Sequence, residues 1–129
     1  DGQIGMELNP LEYVEKMVLI FSAVKRVLKN NGTLWLNLGD TYASNSKGGR
    51  FKYKIDDKQA RNAGSCMDSF KLDHGLKNKD LIGIPWRVAF ALQENGWYLR
   101  QDIIWHKPNP MPESVNDRCT KAHEYVFFT

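Results

Sequence analysis

Residues 96–129 read GWYLRQDIIWHKPNPMPESVNDRCTKAHEYVFFT, two strand-like runs on either side of a polar, proline-rich loop. Trp97 to Trp105 reads as one strand, and Glu124-Tyr125-Val126-Phe127-Phe128 as another, apolar enough to be buried on both faces. Between them, Asn109-Pro110-Met111-Pro112 forms a stiff, polar-edged loop, because each proline fixes its own backbone angle. Chemistry is expected there: a rigid loop held by two strands suits one wall of a pocket.

Upstream, Pro85 fits the first turn of a helix with Ile84, Val88 and Leu92 on one side and Gly96 placed to cap its end. An earlier helix opens at Asn9 and Pro10, with Glu12 where a capping-box partner sits, and should run to about Lys29. Leu11, Val14, Met17, Val18, Phe21, Val24 and Leu28 recur at three- and four-residue spacing, a stripe that belongs to the core. Asn30-Asn31-Gly32 offers left-handed positions to stop that helix, and Thr33 to Leu38 follows as a short strand. Strand, helix, strand in this order implies a right-handed crossover and parallel pairing or near-pairing, the building rule of α/β folds.

A chain of 129 residues with 42% hydrophobic content amounts to a single domain, 1–129, able to bury a modest core. It has neither a membrane-length apolar run nor a signal-peptide pattern, so a soluble, cytoplasmic protein is expected. Cys66 and Cys119 lie far apart without ligand spacing, and His74, His106 and His123 are scattered, so neither a disulfide framework nor a metal site is expected.

The net charge of +3 is unevenly spread. Residues 44–79 carry nine basic against four acidic side chains, a net of +5 that leaves −2 for the rest. That segment shows little apolar periodicity and reads as a long basic loop or insertion. Lys47, Arg50, Lys52 and Lys54, interleaved with Phe51 and Tyr53, suit contact with nucleic acid: lysines neutralise phosphates while aromatic faces stack on bases. A solvated surface loop is the alternative.

Three blocks together resemble the amino-methylating DNA methyltransferases, which place a methyl group on adenine N6 or cytosine N4. They are Gly32 to Tyr42 (GTLWLNLGDTY), Asp80 to Arg87 (DLIGIPWR), and the run from Ile104-Trp105-His106-Lys107 through Asn109 to Pro112 to His123-Glu124. The resemblance is to the permuted arrangement with the catalytic half first, and it covers nearly all of the chain outside the basic segment. It implies a partial Rossmann-like S-adenosylmethionine methyltransferase fold, a mixed sheet with flanking helices. The methyl donor and a flipped-out base would meet at the strand ends, the exocyclic amine attacking the methyl carbon in line.

By that resemblance Asn37 and Asp40 lie near the cofactor, and Trp105, Lys107, Asn109, Pro110, Pro112, His123 and Glu124 near the target base. Arg118 joins Lys47, Arg50, Lys52 and Lys54 as a contact to double-stranded DNA. For Asp40 a turn-initiating role competes, and for His123-Glu124 a hydrogen bond that organises the loop. A His106–Lys107 dyad is not expected, because neighbours on an extended backbone point to opposite faces. The family's catalytic loop, a polar residue followed by Pro-Pro and an aromatic, and its Phe-x-Gly-x-Gly cofactor segment are both missing here. The chain therefore reads as the middle of a methyltransferase, inactive alone, with an open sheet edge that invites self-association. A non-catalytic DNA-binding module on the same scaffold is the alternative, and RNA or a protein amide are further substrates the fold allows.

Overall fold

Asn9 lies in an extended conformation and its side-chain oxygen accepts the Leu11 N–H at 2.8 Å, so that helix α1 (Pro10–Val27) starts at the capping residue and proline read from the sequence. The computed structural model describes residues 4, 5, 7, 9–43 and 76–129, and the remaining elements are β1 (Trp35–Asn37), α2 (Ile84–Glu94), β2 (Gln101–His106) and β3 (His123–Phe128). Lys47, Arg50, Lys52 and Lys54 fall outside the described residues.

Both helix ends obey local rules, one of them not the expected one. After α2, Gly96 takes a φ of 90°, while the Gly96 and Trp97 N–H groups reach back to Gln93 O and Leu92 O, each at 3.0 Å. That doubly bonded glycine cap ends α2 as anticipated. After α1, however, Leu28 turns straight into extended backbone with ψ 142°, and neither Asn30, Asn31 nor Gly32 has a positive φ. The glycine at 32 answers to crowding instead: a Cβ there would sit 2.5 Å from Leu28 Cγ and 2.9 Å from the Lys29 carbonyl oxygen.

The strands lie in the order β1-β3-β2, and both pairings are antiparallel. β1 and β2 therefore run in the same direction on either side of β3: of the expected parallel pairing or near-pairing the described strands show near-pairing, and they pair antiparallel where a mixed sheet was expected. The strand with the longest apolar run, Tyr125 to Phe128, takes the centre, where both of its backbone edges are bonded. Leu36 sits opposite Phe127, and Trp105 opposite Glu124.

Both helices cover one face of the sheet. Val14 and Met17 of α1 and Val88, Ala89 and Leu92 of α2 form a single core with Leu36, Trp97 and Phe127. Trp86 sets its ring edge-on against Tyr125 and Phe127, at 5.3 and 4.8 Å between centroids. Phe127 is completely buried, worth about 1.5–3 kcal/mol relative to exposure. Side chains alternate across a strand, so Trp35, Asn37, Trp105, Glu124, Val126 and Phe128 face the other way. There Trp35 is 59% and Trp105 64% exposed. Burial of β3 on both faces, as the sequence suggested, is thus met only at Phe127; the rest of the strand is half-buried. Among the described residues no helix is long and apolar enough to cross a membrane.

Candidate functional site

The register of the three strands brings residues from three distant parts of the sequence into one polar row on the open face. Asn37 ends β1, Glu124 sits near the start of β3, and Lys107 follows β2, with its N–H bonded to Ala122 O at 2.8 Å. Asn37 Nδ2 donates to Tyr125 O at 3.0 Å and to Glu124 Oε2 at 3.3 Å, while the Lys107 ammonium donates to Glu124 Oε1. The Lys107 hydrogen bond, reinforced by the one from Asn37, holds the Glu124 carboxyl below its ordinary 4.5. Both Glu124 oxygens are thus engaged by neighbouring side chains. Trp105, directly opposite Glu124, adds an exposed indole beside the row. A hydrogen-bonding edge next to an aromatic face is the pair of surfaces that engages an unstacked nucleobase.

Other expected site residues lie apart from this row. Asn109 and Pro112 are exposed and Pro110 is half-buried on the 107–122 loop. His123 turns its ring edge to Tyr125, at 5.1 Å, on the helix-covered face.

Asp40 does something the sequence did not suggest. Its Oδ1 accepts the N–H groups of Thr41 at 2.9 Å, Gly83 at 2.9 Å and Ile84 at 3.0 Å. Gly83 is the N-cap of α2 and has no side chain to offer, so a carboxylate 43 residues upstream does the capping. The turn bond to Thr41 agrees with the competing turn reading; the two long-range bonds come with the fold.

Arg118 stacks its guanidinium 4.0 Å from the centre of the Tyr42 ring and donates through Nη1 to Glu113. Beside it, Lys79 pairs with Asp117, whose carboxyl is lowered chiefly by that hydrogen bond. Tyr42, Glu113 and Asp117 were not picked out from the sequence, where nothing but opposite charge hints at these partners. Among the described residues no three His, Cys, Asp or Glu side chains gather as a metal site would require.

Sequence comparison bears on the same residues. The DNA methylase family matches residues 1–129 in full. The chain is 54% identical over 129 residues to the type II methyltransferase M.Cfr9I of Citrobacter freundii and 56% identical over 128 residues to M.SmaI of Serratia marcescens. These alignments take in 98% of this chain but 41% of each relative. M.SfiI of Streptomyces fimbriatus is 40% identical over 127 residues, 98% of this chain and 26% of that protein. The chain thus spans about two-fifths of the first two.

Proposed function

Since the chain belongs to the N6/N4 amino-methyltransferase family of DNA methylases, we propose that it supplies the target-side portion of a methyltransferase acting on the exocyclic amine of adenine or cytosine in double-stranded DNA. The family match across residues 1–129 carries this reading. The row of Asn37, Glu124 and Lys107 beside Trp105 supports it, with the Asn109 to Pro112 loop springing from the same strand end. In this scheme Trp105 offers its face to the extruded base, Lys107 lines its polar edge, and His123 and Glu124 hold the loop's base. Lys47, Arg50, Lys52 and Lys54 neutralise phosphates. A Rossmann-like sheet completed by further strands, a cytoplasmic location and pairing through the open edges of β1 and β2 belong to the same proposal.

The family implies S-adenosylmethionine as methyl donor in the intact enzyme. The two residues expected near it are already engaged within the chain. Asp40 accepts three backbone N–H groups through Oδ1, and Asn37 is engaged with Glu124 and Tyr125. We assign the donor's cradle to the part of the relatives outside the matched segment.

The test is nucleoside mass spectrometry on DNA from hosts expressing residues 1–129 alone or in a chimaera, where they replace the matching segment of the Citrobacter freundii methyltransferase. N6-methyladenine or N4-methylcytosine from the chimaera only is the expected result. A folded chimaera that binds DNA with steep salt dependence yet methylates nothing would favour the non-catalytic DNA-binding module.

A further inference from the structure

We propose that Arg118, with Tyr42 and Glu113, is a positioning residue that pins the 107–122 loop to the exit of β1, and that it does not bind DNA phosphate. The inference rests on the methyltransferase reading and names what sets the height of the Asn109 to Pro112 wall.

The loop is tied at its base and, farther out, by Arg118 on Tyr42 and by the ion pair of Asp117 with Lys79. At its base the Lys107 N–H bonds to Ala122 O at 2.8 Å and continues the β2–β3 ladder. Farther out, Arg118 lies over the Tyr42 ring at 4.0 Å and donates to Glu113 within the same loop. Tyr42 is itself firmly held. It bridges to Leu81, and its neighbours are bonded on both sides, Ile82 N to Thr41 O at 2.9 Å and Ala43 N to Asp80 O at 2.7 Å. A ring fixed in that way is a platform, and a planar guanidinium suits it because it stacks by its face while its edge still donates. The prolines 110 and 112 hang between the base and Glu113, which Arg118 holds, so loss of the Arg118 contact leaves a stiff segment tied beyond its base only through the exposed Lys79–Asp117 pair.

Electrostatics argue against phosphate at this place. The guanidinium already faces one carboxylate, Glu113, and the adjoining pair of Lys79 and Asp117 contributes one charge of each sign. Four charged side chains that sum to zero attract a polyanion weakly. The side chains of Arg118 and Glu113 are only 29% and 30% exposed, as expected for groups built into the loop.

The chimaera described above separates the two roles. Tyr42→Leu and Arg118→Gln should each lower kcat roughly tenfold or more, because misplacing a substrate-positioning wall acts on the reacting geometry. KM for DNA and the slope of log affinity against log salt should stay as in the parent. Tyr42→Phe should restore activity, since the ring face and not the hydroxyl carries the contact, and the double variant should be little worse than either single one. If Arg118→Gln raises KM and flattens the salt slope by about one unit while Tyr42→Leu is harmless, Arg118 is a phosphate ligand and the proposal fails. Limited proteolysis gives a readout independent of methylation: cleavage within 107–122 should quicken in Tyr42→Leu and Arg118→Gln but not in Tyr42→Phe. Unchanged cleavage would overturn the clasp even in an active enzyme. An inactive unsubstituted chimaera with the protected loop would overturn the methyltransferase reading and leave the clasp standing.

Discussion

Removing the Asp40 carboxylate should loosen α2, an element that begins 44 residues away. Gly83 offers no cap and the first turn of α2 holds no acidic residue, so Asp40 is the side chain seen to serve the exposed N–H groups there. Loss of such a cap costs typically about 1 kcal/mol, and loss of a negative charge at the positive end of a helix about 0.3–1 kcal/mol more. The Thr41 bond goes with them, so Asp40→Ala should cost about 2 kcal/mol, whereas Asp40→Asn keeps an accepting oxygen and should cost about 0.5 kcal/mol. Hydrogen exchange at the Gly83 and Ile84 amides reads this directly: about 30-fold faster in Asp40→Ala and only a few-fold faster in Asp40→Asn, if local opening carries the loss. Equal effects of the two substitutions would show that charge, not the accepting oxygen, matters. No acceleration at all, with loss of methyl-donor binding in the chimaera, would refute the capping account and favour the cofactor role read from the sequence.

Two further outcomes follow from the core and the polar row. Because Glu124 titrates below its ordinary 4.5, its contribution to stability is present above that value and is lost as pH falls through the folded value. Lys107→Met should move the Glu124 carboxyl upward in an NMR titration and shrink that acid sensitivity; an unmoved titration would mean the ion pair is not formed in solution. Phe127→Ala should cost about 3–5 kcal/mol, measured as a lowered urea midpoint, since the ring is fully enclosed between Leu36, the helices and Trp86. A loss under about 1 kcal/mol would place β3 outside the core.

Much of the candidate site was legible because its elements are signalled locally. Asn9-Pro10 and Gly96 mark helix ends by backbone chemistry that acts over a few residues, and the apolar stripe of α1 states which face it buries. Trp105, Lys107 and Glu124 were picked out from motifs as one group, and Asn37 apart from them. Their meeting depends on strand order, and Trp97 to Trp105 says nothing about whether β1 or β3 will lie alongside it. Asp40 and Arg118 mark where local signals stop. A carboxylate after a strand reads as a turn former or a ligand with equal ease, and nothing near Arg118 in the sequence points to Tyr42.

By itself, then, the sequence determined the helices, the strand-forming runs, the stiff loop and the family. The tertiary structure alone decided that β3 lies between β1 and β2, that both helices share one face, that Asp40 caps α2 and that Arg118 rests on Tyr42. The physical reason is range. Propensity, capping and periodicity act within a few residues, whereas Asp40 meets Ile84 across 44 residues and Asn37 meets Glu124 across 87. Such contacts form only when packing has brought the chain back on itself.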